Sequence, residues 1–364
     1  MMIGLYLTLI LALLVQAIFF FIFTVARKQQ VKAVNTPDPS PFTVLICARN
    51  ELPHLEAHLQ TWLSQLSSRD HLMIVDDGST DGSHDYLKAK AATHPNLTLL
   101  HIPDDQKTHP GKKAALHEGL KACKTEHIIL TDADCYPLSE YWASSMNQSL
   151  HHYDVVIGFA PLIMRPSIVS MFASLESIYV AMQYGSFAIL GRPYMYVGRN
   201  AGIKKSKVLQ TNAINKHMDM TSGDDDLTFQ AIRKDVSVGV NLQKEALVNS
   251  YPPEHLRTFI RQKTRHMSTS VRYDAFSKIA LAVLAASHIL FYFCLGLMLF
   301  SEAAIWVPSM LTLRAIIILP AWHRWSSDLL IPFRWGKILI FDLLLSIYYP
   351  VMMTTLFKKS IRWT

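Results

Sequence analysis

Three acidic clusters occur in a fixed order in the polar middle of this 364-residue chain: Asp76-Asp77, Asp132-Ala133-Asp134 and Asp224-Asp225-Asp226. The first two each close a short apolar run, Leu72-Met73-Ile74-Val75 and Ile128-Ile129-Leu130. Runs of this kind are what strands covered on both faces look like. Carboxylates that follow them fall at the C-terminal edge of a parallel sheet, where open α/β folds place their ligands. The expected core of the chain is therefore an α/β domain with a Rossmann-like, mostly parallel sheet.

Strongly apolar segments bracket that domain, and only 17% of the chain is charged, against about 25% in soluble proteins. Residues 2–25 are uninterrupted apolar sequence, long enough to cross a hydrocarbon core of about 30 Å. A cleaved leader would need a basic start, a shorter apolar core and small residues at a cleavage site, so the segment reads as an anchor. Arg27, Lys28 and Lys32 follow it directly, and by the positive-inside rule they hold the polar domain in the cytoplasm. Further candidate spans cover 279–300, 303–322 and 338–356. Four full crossings would put Lys358, Lys359 and Arg362 outside, against the same rule. Either one late segment is re-entrant or interfacial, or charge near the earlier helices sets the orientation, and two to three C-terminal helices are expected. The organisation that results is an anchor at 1–26, a linker at 27–40, a catalytic domain at 41–276 and a membrane region at 277–364.

The net charge of +7 comes without a long basic run interleaved with aromatics, so it points to anionic lipid and not to nucleic acid. The four cysteines, Cys47, Cys123, Cys135 and Cys294, have no paired metal-ligand spacing and suit a reducing compartment.

Within the middle, strand-like runs at 42–47, 72–75, 97–102, 127–130 and 154–159 alternate with helical patterns at 52–66, 84–92, 112–124 and 139–150, the signature of parallel βαβ units. Beyond Phe159 the alternation breaks down. Residues 168–190 are apolar enough to imitate a span, but Glu176 and Gln183 interrupt them. A single crossing there would also leave the second and third acidic clusters on opposite sides of the bilayer. This stretch is expected to be a buried or membrane-surface helix.

Each cluster has a plain reading beside a chemical one. Asp76-Asp77-Gly78-Ser79-Thr80-Asp81-Gly82 is turn-forming sequence without the ligand spacing of a calcium loop. A carboxylate there can equally accept hydrogen bonds from a base or ribose. Asp132 and Asp134, one residue apart at a strand end, suit a hard divalent cation, Mg²⁺ or Mn²⁺, bridging to diphosphate oxygens. Gly111-Lys112 opens a helix and can hold phosphate through backbone N–H groups and charge, although the spacing is not that of a P-loop. Asp224-Asp225-Asp226 is more acid than a helix cap needs. Mutual repulsion among the three raises at least one pKa into the range of a general base. Gln262, Arg265 and His266 share one helix face, as contacts to a leaving diphosphate or to lipid headgroups.

In this order the motifs resemble the membrane-bound family 2 glycosyltransferases with a GT-A fold. The likeness covers Ala48-Arg49-Asn50-Glu51, the Asp-Asp-Gly-Ser segment, Gly111-Lys112, the Asp-x-Asp of Asp132 and Asp134, Gly198-Arg199-Asn200-Ala201, the acidic cluster and a Gln-x-x-Arg segment. It implies that Ala48, Glu51, Asp76 and Asp77 line the nucleotide base and ribose, with Lys112 nearby. Asp132 and Asp134 then face the metal and diphosphate, and Gln262, Arg265 and His266 face the leaving group. The family's base aspartate falls on Asp224, with Asp225 as its alternative, because Gly223 stands where the family has glutamate. His266 stands in place of a tryptophan of polymerising members, so transfer of a single sugar is expected. The implied reaction is inverting transfer from a nucleotide sugar, with uridine the family's base, to a lipid or envelope-glycan acceptor at the cytoplasmic face of a bacterial inner membrane. A membrane-linked nucleotidyl- or phosphotransferase also needs paired carboxylates, and would release pyrophosphate from a nucleotide donor. A scaffold or transporter would tolerate loss of Asp134.

Overall fold

The structure is a computed structural model that describes residues 2–26, 40–106, 111–218, 220 and 222–355. The basic residues Arg27, Lys28 and Lys32, nearly all of the 27–40 linker, and the tail residues Lys358, Lys359 and Arg362 lie outside the described residues. Strands β1 (Phe42–Ala48), β2 (His71–Asp76), β3 (Leu97–His101) and β4 (His127–Asp132) form where the apolar runs predict them. The fifth expected strand shortens to β6 (Val155–Ile157), after a small β5 (Cys135–Pro137). Strands β7 (Ala201–Lys204), β8 (Val238–Val240) and β9 (Val248–Ser250) come from the region where the pattern breaks down. At three or four residues each they are too short to show alternation, and pairing partners define them.

Seven strands make one sheet in the order β3-β2-β1-β4-β7-β6-β8, and β5 and β9 make a separate two-stranded ribbon. Pairing is parallel throughout β3-β2-β1-β4 and between β6 and β8, while β7 runs antiparallel to both of its neighbours. Register sets the working edge: Ala48 lies opposite Asp76 across β1–β2, and Cys47 lies opposite Asp132 across β1–β4. The period of two divides β1 between the two sides of the sheet. Val44 and Ile46 pack with Trp62 of α2 (Leu52–Leu63) and Trp142 of α5 (Trp142–Leu150). Leu45 packs on the other side with Leu116 of α4 (Lys112–Ala122). Helix α3 (Ser83–Ala91) closes the β2–β3 crossover.

The second core does not stop at the domain. It continues through α6 (Ile168–Ile189) to Phe20 and Phe23 of α1 (Met2–Val25), Trp322 and Trp325 of α11 (Val307–Asp328) and Phe341 of α12 (Trp335–Thr355). Helix α6 is thus the buried helix that its interrupting Glu176 and Gln183 foretell. Phe20 stacks on Tyr179 of α6 with centroids 6.3 Å apart, and the Trp325 indole donates to the Phe23 carbonyl at 2.9 Å. With α10 (Ala275–Met298), the described residues contain four helices long and apolar enough to cross a membrane, three of them C-terminal.

Those helices enclose a charge cluster. Arg314 of α11 and Asp342 of α12 are both buried, and the guanidinium donates to Asp342 Oδ1 at 2.8 Å. His288 of α10 completes it: Arg314 donates to Nδ1 at 2.8 Å, so Nε2–H donates to the Asp342 carbonyl at 2.7 Å. The Tyr292 hydroxyl donates to the same carboxylate at 2.5 Å. A paired, hydrogen-bonded charge is the form in which ionic groups persist in such surroundings. Removing one member of a buried pair costs about 3–5 kcal/mol, whereas apolar replacement of both is close to neutral. The Arg314→Leu and Asp342→Leu variants are each expected to melt well below the parent in detergent, and the double variant to recover most of the loss. Size-exclusion thermal denaturation reads this directly, and a double variant no better than the singles contradicts it.

Candidate active site

The turns after β1 and β2 are built as one unit. Asn50 adopts a left-handed conformation with φ 56°, which asparagine tolerates better than most residues. Its backbone N–H donates to Ser79 Oγ at 3.0 Å, and its side-chain oxygen accepts the Thr80 N–H at 2.8 Å. The Asp-Asp-Gly-Ser segment then divides its labour. Asp77 is buried and lines a cavity of about 430 Å³ together with Ala48 and Glu51. Asp81 accepts the N–H of Leu52, the first residue of α2, at 3.0 Å. Asp76 departs from expectation, since it is fully buried and absent from the cavity wall. Its Oδ1 accepts the Ser79 N–H at 3.1 Å, and its Oδ2 is bonded by His101 Nδ1 at 2.7 Å and His84 Nδ1 at 3.1 Å. Asp76 is the last residue of β2, and because strand residues alternate faces, only one of the two aspartates can turn toward the cavity.

Asp132, the last residue of β4, and Asp134 just beyond it also line the cavity. Lys112, the first residue of α4, is in close contact with Asp132 Oδ1, and its Nζ lies 3.8 Å from Asp224 Oδ2. Enclosure alone would raise the Asp132 pKa, but the charges of Lys112, Arg199 and Arg265 outweigh it and hold the carboxyl below the usual range. Enclosure works against the Lys112 ammonium too, and the charges of Asp132 and Asp224 reverse it, so this side chain stays charged. Asp134 accepts from Ser250 Oγ of β9 at 3.2 Å. Ligand atoms of Asp132, Asp134 and Cys135 lie within 4.8 Å of one another, a possible metal-binding group. Burial pushes the Cys135 thiol well above its ordinary pKa, so a neutral thiol stands beside two hard carboxylates. Such a donor set fits Mg²⁺ or Mn²⁺ through the carboxylates and does not suit a soft ion.

The third cluster opens α8 (Asp226–Ile232). Asp226 is buried, and the hydroxyls of Thr269 (in close contact) and Tyr273 (2.6 Å) donate to its Oδ2. Asp225 accepts the Gly198 N–H at 3.0 Å and the Asp226 N–H at 2.7 Å. Enclosure, reinforced by Asp224 and Asp226, pushes Asp225 up to about 7. Asp224 remains partly open on the cavity wall, with 22% of its side chain exposed, beside Lys112. The glycine before it is required by the backbone: Gly223 has φ +93°, and a Cβ there would come 2.5 Å from the Leu227 side chain. A glutamate at this position would be strained whatever its chemistry. Gln262, Arg265 and His266 line the same cavity from α9 (Leu256–Ser270), as their helical spacing predicts.

Of the residues expected from sequence, Ala48, Glu51, Asp77, Lys112, Asp132, Asp134, Asp224, Asp225, Gln262, Arg265 and His266 all line this one cavity. Sequence reasoning gave no role to Arg199, Asn200 or Tyr273. Asn200 is buried and donates to the carbonyls of Phe159 and Ala246, each at 2.8 Å, while accepting from the Trp142 indole at 3.1 Å. It fixes the loop that carries Gly198 and Arg199. The signal for it was the Gly198-Arg199-Asn200 motif itself, whereas nothing local marks Tyr273.

Residues 43–209 match the family model described as Glycosyl transferase family 2, and the chain carries a glycosyltransferase domain of that family. Over 126 residues it is 28% identical to an undecaprenyl-phosphate 4-deoxy-4-formamido-L-arabinose transferase of Aeromonas hydrophila, covering 34% of this chain and 38% of that protein. Over 110 residues it is 30% identical to the transferase of the same name from Pseudomonas syringae, covering 30% and 31%. The chain thus spans about a third of the length of these curated relatives. Among solved structures it is similar to mannosyltransferase PcManGT from Pyrobaculum calidifontis, in complex with GDP-Man and Mn²⁺. The TM-score is 0.58 at 17% identity, over 95% of this chain and 98% of that one. This likeness establishes the GT-A fold.

Glu51 and Asp225 are both pushed up to about 7, in each case first by enclosure and then by neighbouring carboxylates. Free carboxyls titrate near 4, so between about pH 4 and 7 these two groups hold more protons in the folded protein than in the unfolded chain, and their contribution to stability falls as pH rises through that window. Asp132, shifted the other way, contributes only below it. Between pH 5 and pH 8 the melting temperature of the parent is expected to fall relative to that of the Glu51→Gln/Asp225→Asn variant. Identical slopes for parent and variant contradict the assignment.

Proposed function

We propose that this protein is an inverting glycosyltransferase that moves one sugar at a time from a nucleoside-diphosphate donor to an acceptor held at the membrane. The observation that carries the reading is the convergence of Asp77, Asp132, Asp134 and Asp224 with Lys112 and Arg265 on one cavity. These residues lie as far apart as 188 positions in the chain. The cavity also reaches Leu281 of α10 and Tyr348 of α12, which supports an acceptor delivered from the bilayer. The relatives named as undecaprenyl-phosphate transferases fit a lipid-linked acceptor in general terms. PcManGT is a precedent for a nucleotide-sugar donor with Mn²⁺, and a uridine diphosphate sugar is the expected donor. A cytoplasmic placement of the polar domain is supported by the sequence rule for Arg27, Lys28 and Lys32, and a bacterial inner membrane is the expected location.

Donor recognition falls to the β1–β2 edge. Asp77 and Glu51 offer carboxylates to the base and ribose, and Ala48 leaves room for them. Lys112, Arg199 and Arg265 surround Asp132, where the diphosphate belongs, and their charge matches the charge that develops on the leaving group. Asp132 and Asp134 would hold the divalent cation, which when bound neutralises diphosphate oxygens as a Lewis acid. Asp224 is the base, because its carboxylate faces the cavity while both oxygens of Asp225 accept backbone N–H groups. Asp224 takes the proton of the acceptor hydroxyl, whose oxygen attacks the anomeric carbon from the face opposite the diphosphate. The bond to the diphosphate breaks and configuration inverts. Asp225 supports Asp224 from beneath by tying the acidic cluster to Gly198.

A base of this kind contributes about 10²- to 10⁴-fold to rate. Detergent-purified protein incubated with UDP- and GDP-sugars and Mn²⁺ is expected to release nucleoside diphosphate. Asp224→Asn should lower turnover by about that factor while binding donor normally, and Asp134→Ala should lose the response to metal. Release of pyrophosphate overturns the proposal, as does near-parental turnover by Asp224→Asn.

A further inference from the structure

We infer that the acceptor is a neutral membrane lipid presenting a hydroxyl group, such as a diacylglycerol, a long-chain alcohol or an uncharged glycolipid, and not a lipid phosphate. This rests on the glycosyltransferase reading above and concerns the chemistry of the second substrate.

The first argument is where the cavity goes. Besides the sheet edge and the acidic cluster, its wall includes Val180 and Ala181 of α6, Leu281 of α10, Leu329 after α11 and Tyr348 of α12. Three of these five sit on or next to helices long and apolar enough to cross a membrane. A molecule reaching Asp224 along this wall meets aliphatic and aromatic side chains, as an acyl or isoprenoid chain requires.

The second argument is how charge is distributed along the same path. Five cationic side chains line the cavity: Arg49, Lys112, Arg199, Lys263 and Arg265. Three of them are held in ion pairs, and the other two act at the donor end. Arg49 pairs with Asp104 at 2.8 Å, and Lys112 is in close contact with Asp132. Arg199 and Arg265 act on Asp132, at the donor end. Lys263 is in close contact with the buried Glu176, which also accepts from the hydroxyl of Tyr348 of α12 at 3.5 Å. An arriving head group therefore meets the open carboxylate of Asp224, with Asp225 and Asp226 held beside it by their own hydrogen bonds. A phosphomonoester would place about two negative charges beside Asp224, whose neighbouring cation, Lys112 at 3.8 Å, is already in close contact with Asp132. An uncharged alcohol meets no such penalty, and it donates its O–H to a carboxylate.

The third argument is chemical economy. A lipid phosphate arrives as an ionised nucleophile and needs no base. An alcohol must lose its proton, and a carboxylate open to the cavity is what receives it. In the reaction inferred here the acceptor O–H bond breaks, its proton passes to Asp224, the oxygen forms the new bond to the anomeric carbon, and the electron pair of the old bond leaves with the nucleoside diphosphate.

The test uses the full chain in phosphatidylcholine vesicles with Mn²⁺ and the nucleotide sugar that gives the fastest diphosphate release. Dioleoylglycerol, a monoglycosyl diacylglycerol, a polyprenol and a polyprenyl phosphate are supplied separately at equal mole fraction. Labelled sugar is expected in at least one hydroxyl lipid, with a preference over polyprenyl phosphate of about tenfold or more, the factor that 1.4 kcal/mol sets. Glu176→Gln, which leaves Lys263 without its counter-ion, is expected to raise the use of polyprenyl phosphate relative to the hydroxyl lipid. Preferred transfer to polyprenyl phosphate by the parent overturns this inference and leaves the glycosyltransferase reading standing. Diphosphate release without transfer to any hydroxyl lipid, or transfer only to soluble sugars, also overturns it. Absence of diphosphate release from every donor overturns the glycosyltransferase reading itself.

Discussion

The parallel pairing of β1 with β2 on one side and β4 on the other is the constraint on which the site depends. It sets Ala48 level with Asp76 and Cys47 level with Asp132, so that the chain leaves all three strands at one edge. A slip of one residue would exchange the faces of every side chain on the slipped strand. It would turn Asp76 toward the cavity in place of Asp77. Two separate cores resist that slip. Val44 and Ile46 are held against Trp62 and Trp142, while Leu45 is held against Leu116.

The membrane helices are part of this arrangement and not an attachment to it. One hydrophobic core runs from Val75 and Leu130 in the sheet through Tyr179 and Met182 of α6 to Trp322 and Phe341. The cavity wall follows the same route, because α6 contributes Glu176, Ala181 and Tyr184 to it. The orientation of the acidic cluster toward the helices is therefore fixed by packing. Interiors packed at the density of organic crystals transmit displacement and do not absorb it, so changes at the α6 interface should register at the site.

Much of this was legible in the sequence, and the reason is local. Runs such as Ile128-Ile129-Leu130 ending in Asp-x-Asp state both a strand and its terminus, and Gln262, Arg265 and His266 declare their shared face by spacing alone. The Asp-Asp pair was legible only as a pair. Which of Asp76 and Asp77 faces the cavity depends on pleat phase and on His84 and His101, which arrive from α3 and β3. The short strands β7, β8 and β9 were invisible because three or four residues carry too little pattern. Tyr273 and Thr269 grip Asp226 from more than forty residues away, and nothing in their own neighbourhoods signals it. Gly223 could be read as a departure from the family pattern, but its cause, a positive φ against Leu227, needed coordinates.

At the centre lies a spatial statement: carboxylates from the ends of separate elements meet on one cavity, where Asp132 and Asp134 are proposed to hold a cation. Electron paramagnetic resonance titration of purified protein with Mn²⁺ reads that point without requiring the donor or acceptor to be known. The expected result is one saturable site that tightens when nucleoside diphosphate is added and disappears in the Asp132→Asn/Asp134→Asn variant. A saturable site that survives both substitutions, or binding indifferent to the diphosphate, would contradict it.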